Sequence, residues 1–145
     1  MSVRAQLFGA TTAQGRAALI GYLPAGFPTV DASAATLTAM IAGGCDLVEV
    51  GVPFSDPVLD GPVIQAAAET ARHNGFRLRD TFTVVERVAA AGGRAVVMSY
   101  FNPLLSYRVA NCSRRHPAAA ALRLIPTALR VADEAAPAAA APPHR

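Results

Sequence analysis

The chain has 145 residues, of which 52% are hydrophobic and 16% charged; this places it among globular proteins of about one domain and leaves no apolar run long enough to cross a bilayer. Its formal net charge of +3 is local: residues 1–107 carry seven Arg against eight acidic residues, net −1, and residues 108–145 carry six Arg against two, net +4. No aromatic residue interleaves those tail arginines, so a nucleic-acid surface is not expected. The opening MSVRAQLFGATTAQG lacks an apolar core of signal-peptide length, which argues against export and for a cytoplasmic address. Cys45 and Cys112 have neither metal-ligand spacing nor a disulfide framework around them.

In chain order, Val3 to Thr12 predicts a short leading helix, broken at Gln14-Gly15. Ala17 to Leu23 (AALIGYL) is a compact apolar run closed by Pro24, Gly26 and Pro28, as expected of a buried strand and its loop. Asp31 offers an N-cap to a helix with Leu37, Met40 and Ile41 on one side, ended at Gly43-Gly44. Leu47 to Val52 is the second strand. Pro62 opens another helix, closed by Asn74-Gly75, and His73 in its last turn reads as a solvated partner of the helix C-terminus. Asp80 or Thr81 caps a further helix with core-facing Phe82, Val85 and Val88, ended at Gly92-Gly93. Ala95 to Ser99 is the third strand, left through Tyr100 to Pro103.

The chemistry is concentrated in LVEVGVPFSDPVLDGP, residues 47–62. Alternation along the strand puts Val48, Val50 and Val52 on one face and Leu47, Glu49 and Gly51 on the other. An acid inside a buried strand is either satisfied by neighbouring backbone or poised as an acid/base group. Asp60 follows across the turn. Strands alternating with helices imply parallel pairing, in an open doubly wound sheet or in a barrel. No GxGxxG or GxxxxGK[ST] motif supports a nucleotide-binding open sheet. Tyr22, Glu49, Asp60, Tyr100 and Asn102 instead gather at or beyond the C-terminal ends of the strands, where a TIM barrel keeps its active site.

With LIGYLPAGFPTVD before it and VVMSYFNPLLSY after it, the segment LVEVGVPFSDPVLDGPVIQ resembles the tryptophan synthase alpha subunit family from about Arg16 to Tyr107. The resemblance implies a TIM (β/α)8 barrel and a carbon–carbon lyase of tryptophan biosynthesis. Such a lyase cleaves indole-3-glycerol phosphate to indole and glyceraldehyde 3-phosphate. It further implies Glu49 as the catalytic acid/base and Asp60 as the carboxylate beside the indole N–H, with Tyr22, Met98 and Tyr100 walling the indole pocket. Pro53, Asp56 and Asn102 match positions near the contact with a beta subunit, in a tetramer of two alpha and two beta subunits. The family alpha subunit needs no cofactor or metal; pyridoxal phosphate would belong to the beta partner. Apart from the resemblance, Met98 reads equally well as barrel packing, and Pro53, Asp56 and Asn102 as turn residues.

After Tyr107 the pattern changes. All eleven glycines precede residue 94, and residues 108–145 hold five of the eleven prolines and thirteen alanines. No fourth strand is evident there; a helix over residues 127–136 is bracketed by Pro126 and Pro137. The expected organisation is therefore the first three βα units of a barrel in residues 1–107, and an Ala/Arg/Pro-rich tail in 108–145 that is disordered, or read out of frame from near Arg108. A barrel needs eight strands and roughly 250 residues, and the family holds the substrate phosphate with later loops. The readings left open are a truncated lyase, a non-catalytic module that binds the beta subunit, and an inactive remnant.

Overall fold

The computed structural model describes residues 3–56, 59–100 and 123–127. Four strands, β1 (Ile20–Pro24), β2 (Leu47–Gly51), β3 (Ala95–Tyr100) and β4 (Arg123–Thr127), form one parallel sheet in the order β1-β2-β3-β4. A doubly wound sheet reverses its strand order at a switch point, whereas a barrel wall adds strands in sequence. The unreversed order is that of a barrel wall.

The helices are α1 (Val3–Ala13), α2 (Val30–Ala42), α3 (Pro62–His73) and α4 (Leu78–Ala90). Helices α2 and α4 pack against each other and against the sheet. Val48 and Val50 of β2 and Val97 of β3 are buried in one cluster with Leu37 of α2 and Val84, Val85 and Val88 of α4. Each such side chain removed from water contributes about 1.5–3 kcal/mol, so this layer is the main source of cohesion. The expected alternation of β2 is observed: the valines at 48 and 50 enter the helix-covered layer and leave Glu49 half-buried on the other face.

Helix α2 starts earlier than Asp31 suggests. Thr29 is its N-cap, its hydroxyl accepting the Ala32 N–H at 3.1 Å, while Asp31 sits in the first turn and accepts from Arg87 Nη1 of α4 at 2.6 Å. The start of α4 is displaced in the same sense. Arg77 is the cap position, and Asp80, three residues on, reaches back to accept the Arg77 N–H at 2.7 Å. Thr81 is no cap: it is buried in the helix and its Oγ1 has no described partner. In both helices the acid acts from the first turn, where it satisfies free N–H groups or faces the positive helix end as well as a cap would. Helix α3 begins at Pro62 and ends ahead of Gly75, whose φ of +86° is the left-handed conformation a stop requires.

Strand β4 lies inside the stretch expected to hold no strand, and it corrects that expectation. It pairs with β3 in register from Val96↔Arg123 to Tyr100↔Thr127. Five residues with a proline among them give little periodic signal, but a strand bonded on one side tolerates a missing N–H where that group faces away from the ladder. The strand is specified by the open edge of β3 more than by its own residues. The expected turn at Asn102 and all but the first residue of the 127–136 helix lie outside the described residues.

At the N-terminal ends of the strands, Arg16 grips Asp46 with both terminal nitrogens, at 2.6 and 2.7 Å. The same carboxylate accepts the Leu19 N–H at 2.8 Å, and the Asp46 N–H donates to the Leu19 carbonyl at 2.8 Å. The start of β1 is thereby tied to the start of β2. The Arg16 guanidinium, and after it the Leu19 N–H, hold the Asp46 carboxyl well below the usual carboxylate range. A depressed folded-state pKa means that the tie stabilises the fold fully above the unfolded carboxylate value of about 4 and is lost as pH falls further. Urea midpoints of Asp46→Asn and the parent should therefore differ at pH 7 and converge toward pH 2; a difference independent of pH would contradict the assignment.

Candidate active site

Parallel register decides which side chains share a face. Tyr22 pairs with Glu49, Glu49 with Val96, and Gly51 with Met98. Residues in register point to the same side, and alternation carries that side on to Tyr100, two beyond Met98. Tyr22, Glu49, Met98 and Tyr100 therefore lie on the sheet face opposite the helix-packed valines. In a closed barrel that is the inner face.

Gly51 has a specific job there. A Cβ built on it would lie 2.6 Å from Tyr22 Cζ and 2.8 Å from Cε2, nearer than real Cβ atoms come. The Tyr22 ring thus crosses from β1 and rests on the backbone of β2 beside Glu49. Burial pushes the Tyr22 phenol up to about 12, and the charges of Asp60, Tyr100 and Glu49 act in the same direction. The two acids separated by the turn are thus both within electrostatic reach of one hydroxyl. The sequence places Gly51 on the Glu49 face without showing what rests on it. The available signal was a glycine inside an otherwise β-branched strand, which marks a close approach.

Asp60 is carried by the segment between β2 and α3 and is half-buried. Tyr100 is 8% exposed, and its hydroxyl accepts the Leu59 N–H at 2.9 Å. Its ring lies against Phe54, centroids 5.2 Å apart and tilted by 33°. From the α3 side, Gln65 Nε2 donates to the Asp60 carbonyl at 2.7 Å. Phe54, Leu59 and Gln65 were not singled out from sequence, because their roles depend on contacts across the fold. Met98 is half-buried in the same face.

The remaining expected residues are dispersed. Pro53 is buried where the chain leaves β2, and Asp56 is exposed, accepting from Ser55 Oγ at 2.7 Å. Asn102 lies outside the described residues. Among the described residues no group of three or more His, Cys, Asp or Glu is arranged to hold a metal ion, and no helix is long and apolar enough to cross a membrane. His73 Nδ1 lies 3.0 Å from the Glu69 carbonyl within α3, in keeping with a helix-end role.

The family described as "Tryptophan synthase alpha chain" matches residues 8–125. The chain belongs to the tryptophan synthase alpha chain family. It is 57% identical over 121 residues to the tryptophan synthase alpha chain of Nocardia farcinica, covering 83% of this chain and 46% of that protein. Against the Mycobacterium tuberculosis tryptophan synthase alpha chain the identity is 53% over 129 residues, 89% of this chain and 47% of the other. A crystal structure of tryptophan synthase from M. tuberculosis, in an open form with BRD0059 bound, superimposes with a TM-score of 0.91 at 48% identity, over 97% of this chain and 56% of that one. The fold is thus a partial TIM barrel. The chain spans about half the length of the curated relatives it matches, and the family match continues past Tyr107, where the motif-by-motif resemblance stops.

The seat of Tyr22 on Gly51 gives a direct test. Gly51→Ala should cost about 1–3 kcal/mol by overpacking, read from urea denaturation. Adding Tyr22→Ala should relieve the clash, so that Gly51→Ala costs distinctly less in that background. Equal costs in both backgrounds would show that the ring does not occupy the place a Cβ needs.

Proposed function

We propose that this chain carries the acid/base half of a tryptophan synthase alpha-type lyase site, one that cleaves indole-3-glycerol phosphate to indole and glyceraldehyde 3-phosphate. The supporting observation is geometric: Tyr22 and Glu49 stand in register on one face of the parallel sheet, Met98 and Tyr100 follow on the same face, and Asp60 lies on the loop fastened to Tyr100 through Leu59. The bond to be broken joins a ring carbon of indole to the glycerol chain. That carbon must first gain a proton, which makes the ring N–H more positive and more acidic. A carboxylate beside the N–H stabilises the developing charge, and a second group delivers the ring proton and takes one from the glycerol hydroxyl, so that cleavage releases an aldehyde.

Glu49 suits the proton-transfer role, because it sits on a strand held on both sides by the sheet and so is rigidly placed. Asp60, on a loop, suits the ring nitrogen. Tyr22, Met98 and Tyr100 supply aromatic and apolar surface of the kind a flat ring needs. This chain would need no cofactor of its own, and pyridoxal phosphate would belong to a beta subunit. Asp56, exposed on the same loop, and Asn102 would meet that partner, while buried Pro53 would shape the loop beneath it. A cytoplasmic address goes with this reading.

The experiment is cleavage of indole-3-glycerol phosphate by the purified chain, alone and with beta subunit, in the parent, Glu49→Gln and Asp60→Asn. General acid–base catalysis is typically worth about 10²–10⁴-fold, so Glu49→Gln should lower kcat by at least about a hundredfold. Parent and Glu49→Gln rates that coincide would rule out the lyase reading for this chain.

A further inference from the structure

Tyr100 does something that a pocket wall does not require. A wall for a flat ring needs an aromatic face, which phenylalanine supplies as well; only tyrosine adds an oxygen. In this fold that oxygen is turned to the backbone of the loop carrying Asp60, where it accepts the Leu59 N–H at 2.9 Å. We propose that Tyr100 is a positioning residue, whose buried hydroxyl latches the Leu59 peptide to the sheet and thereby sets where the Asp60 carboxylate stands. For its catalytic consequence, though not for its geometry, this rests on the lyase reading above.

The two ends of the latch differ in rigidity. Tyr100 is the last residue of β3, paired with Thr127 of β4 and 8% exposed, and the Ser99 hydroxyl donates to its carbonyl at 2.8 Å. Its ring is backed by Phe54, three residues beyond the end of β2. The loop end has little of this support. Leu59 is 65% exposed, so burial does not hold it, and among the described residues its tie to the sheet is the N–H bond to Tyr100. Asp60 is the next residue, its Cα about 3.8 Å further along the chain. On its other side, Gln65 donates to the Asp60 carbonyl at 2.7 Å. The Asp60 peptide is therefore bracketed, by the sheet through Tyr100 and by α3 through Gln65. Loss of the hydroxyl frees the sheet side while Phe54 packing and the wall remain.

The test uses the whole chain and Tyr100→Phe, with residue-resolved amide hydrogen exchange. A hydrogen bond contributes about 1 kcal/mol net, or a little more. Leu59 exchange should accordingly quicken about fivefold to tenfold in Tyr100→Phe, while Val48 and Val50 in β2 keep their protection. Unchanged exchange at Leu59 overturns the latch. Quickening spread equally through β2 also overturns it, since it would mark a general loosening of the sheet.

The catalytic consequence is read separately, in the lyase assay. Tyr100→Phe should lower kcat about fivefold to tenfold with KM little changed, and should add nothing in an Asp60→Asn background. An equal effect in both backgrounds rejects action through Asp60. If the parent itself cleaves no substrate, the lyase reading falls alone, and Leu59 exchange still decides whether Tyr100 holds the loop.

Discussion

The parallel ladder between β1, β2 and β3 is the constraint on which the rest depends. One residue of slip between β1 and β2 would send Tyr22 to the helix-packed face and separate it from Glu49. The observed register, Tyr22 opposite Glu49 and Gly51 opposite Met98, puts Tyr22, Glu49, Met98 and Tyr100 on one sheet face and the packed valines on the other. Register is held in two ways. The Arg16–Asp46–Leu19 tie joins β1 and β2 at their start, and burial of Val48, Val50 and Val97 penalises any shift that would expose them.

From that frame the site is assembled by contacts that cross between elements. Tyr22 reaches over β2 because residue 51 has no side chain to stop it. The loop carrying Asp60 is fastened to the sheet by a hydroxyl at the end of β3 and to α3 by a glutamine amide. A rigid strand thus supports Glu49, and a tethered loop supports Asp60. That division suits a pair of acids of which one is held by the scaffold and the other can adjust to what is bound.

The two helix starts are displaced from the acids that mark them for one reason. Asp31 and Asp80 both act from inside the first turn, the one paired with Arg87 on α4 and the other reaching back to Arg77. An acid near a helix start favours the same N–H groups from several positions, so composition locates the start only to within a turn. Strand β4 is not legible in the sequence for a different reason. Its residues carry almost no pattern of their own, and what makes Arg123–Thr127 a strand is the hydrogen-bonding edge that β3 presents to it.

The sequence by itself determined the alternation of strand and helix, the two faces of β2, the glycine and proline stops, and the motif that joins Glu49 to Asp60. All of these depend on interactions between near neighbours in the chain, or on backbone preferences of single residues, and such terms are written locally. The tertiary structure alone decided the sequential strand order, the recruitment of β4, the seat of Tyr22 on Gly51 and the Tyr100 hydrogen bond to Leu59. Those contacts join residues as many as 47 positions apart, and their geometry exists only once the sheet register has brought the strands side by side.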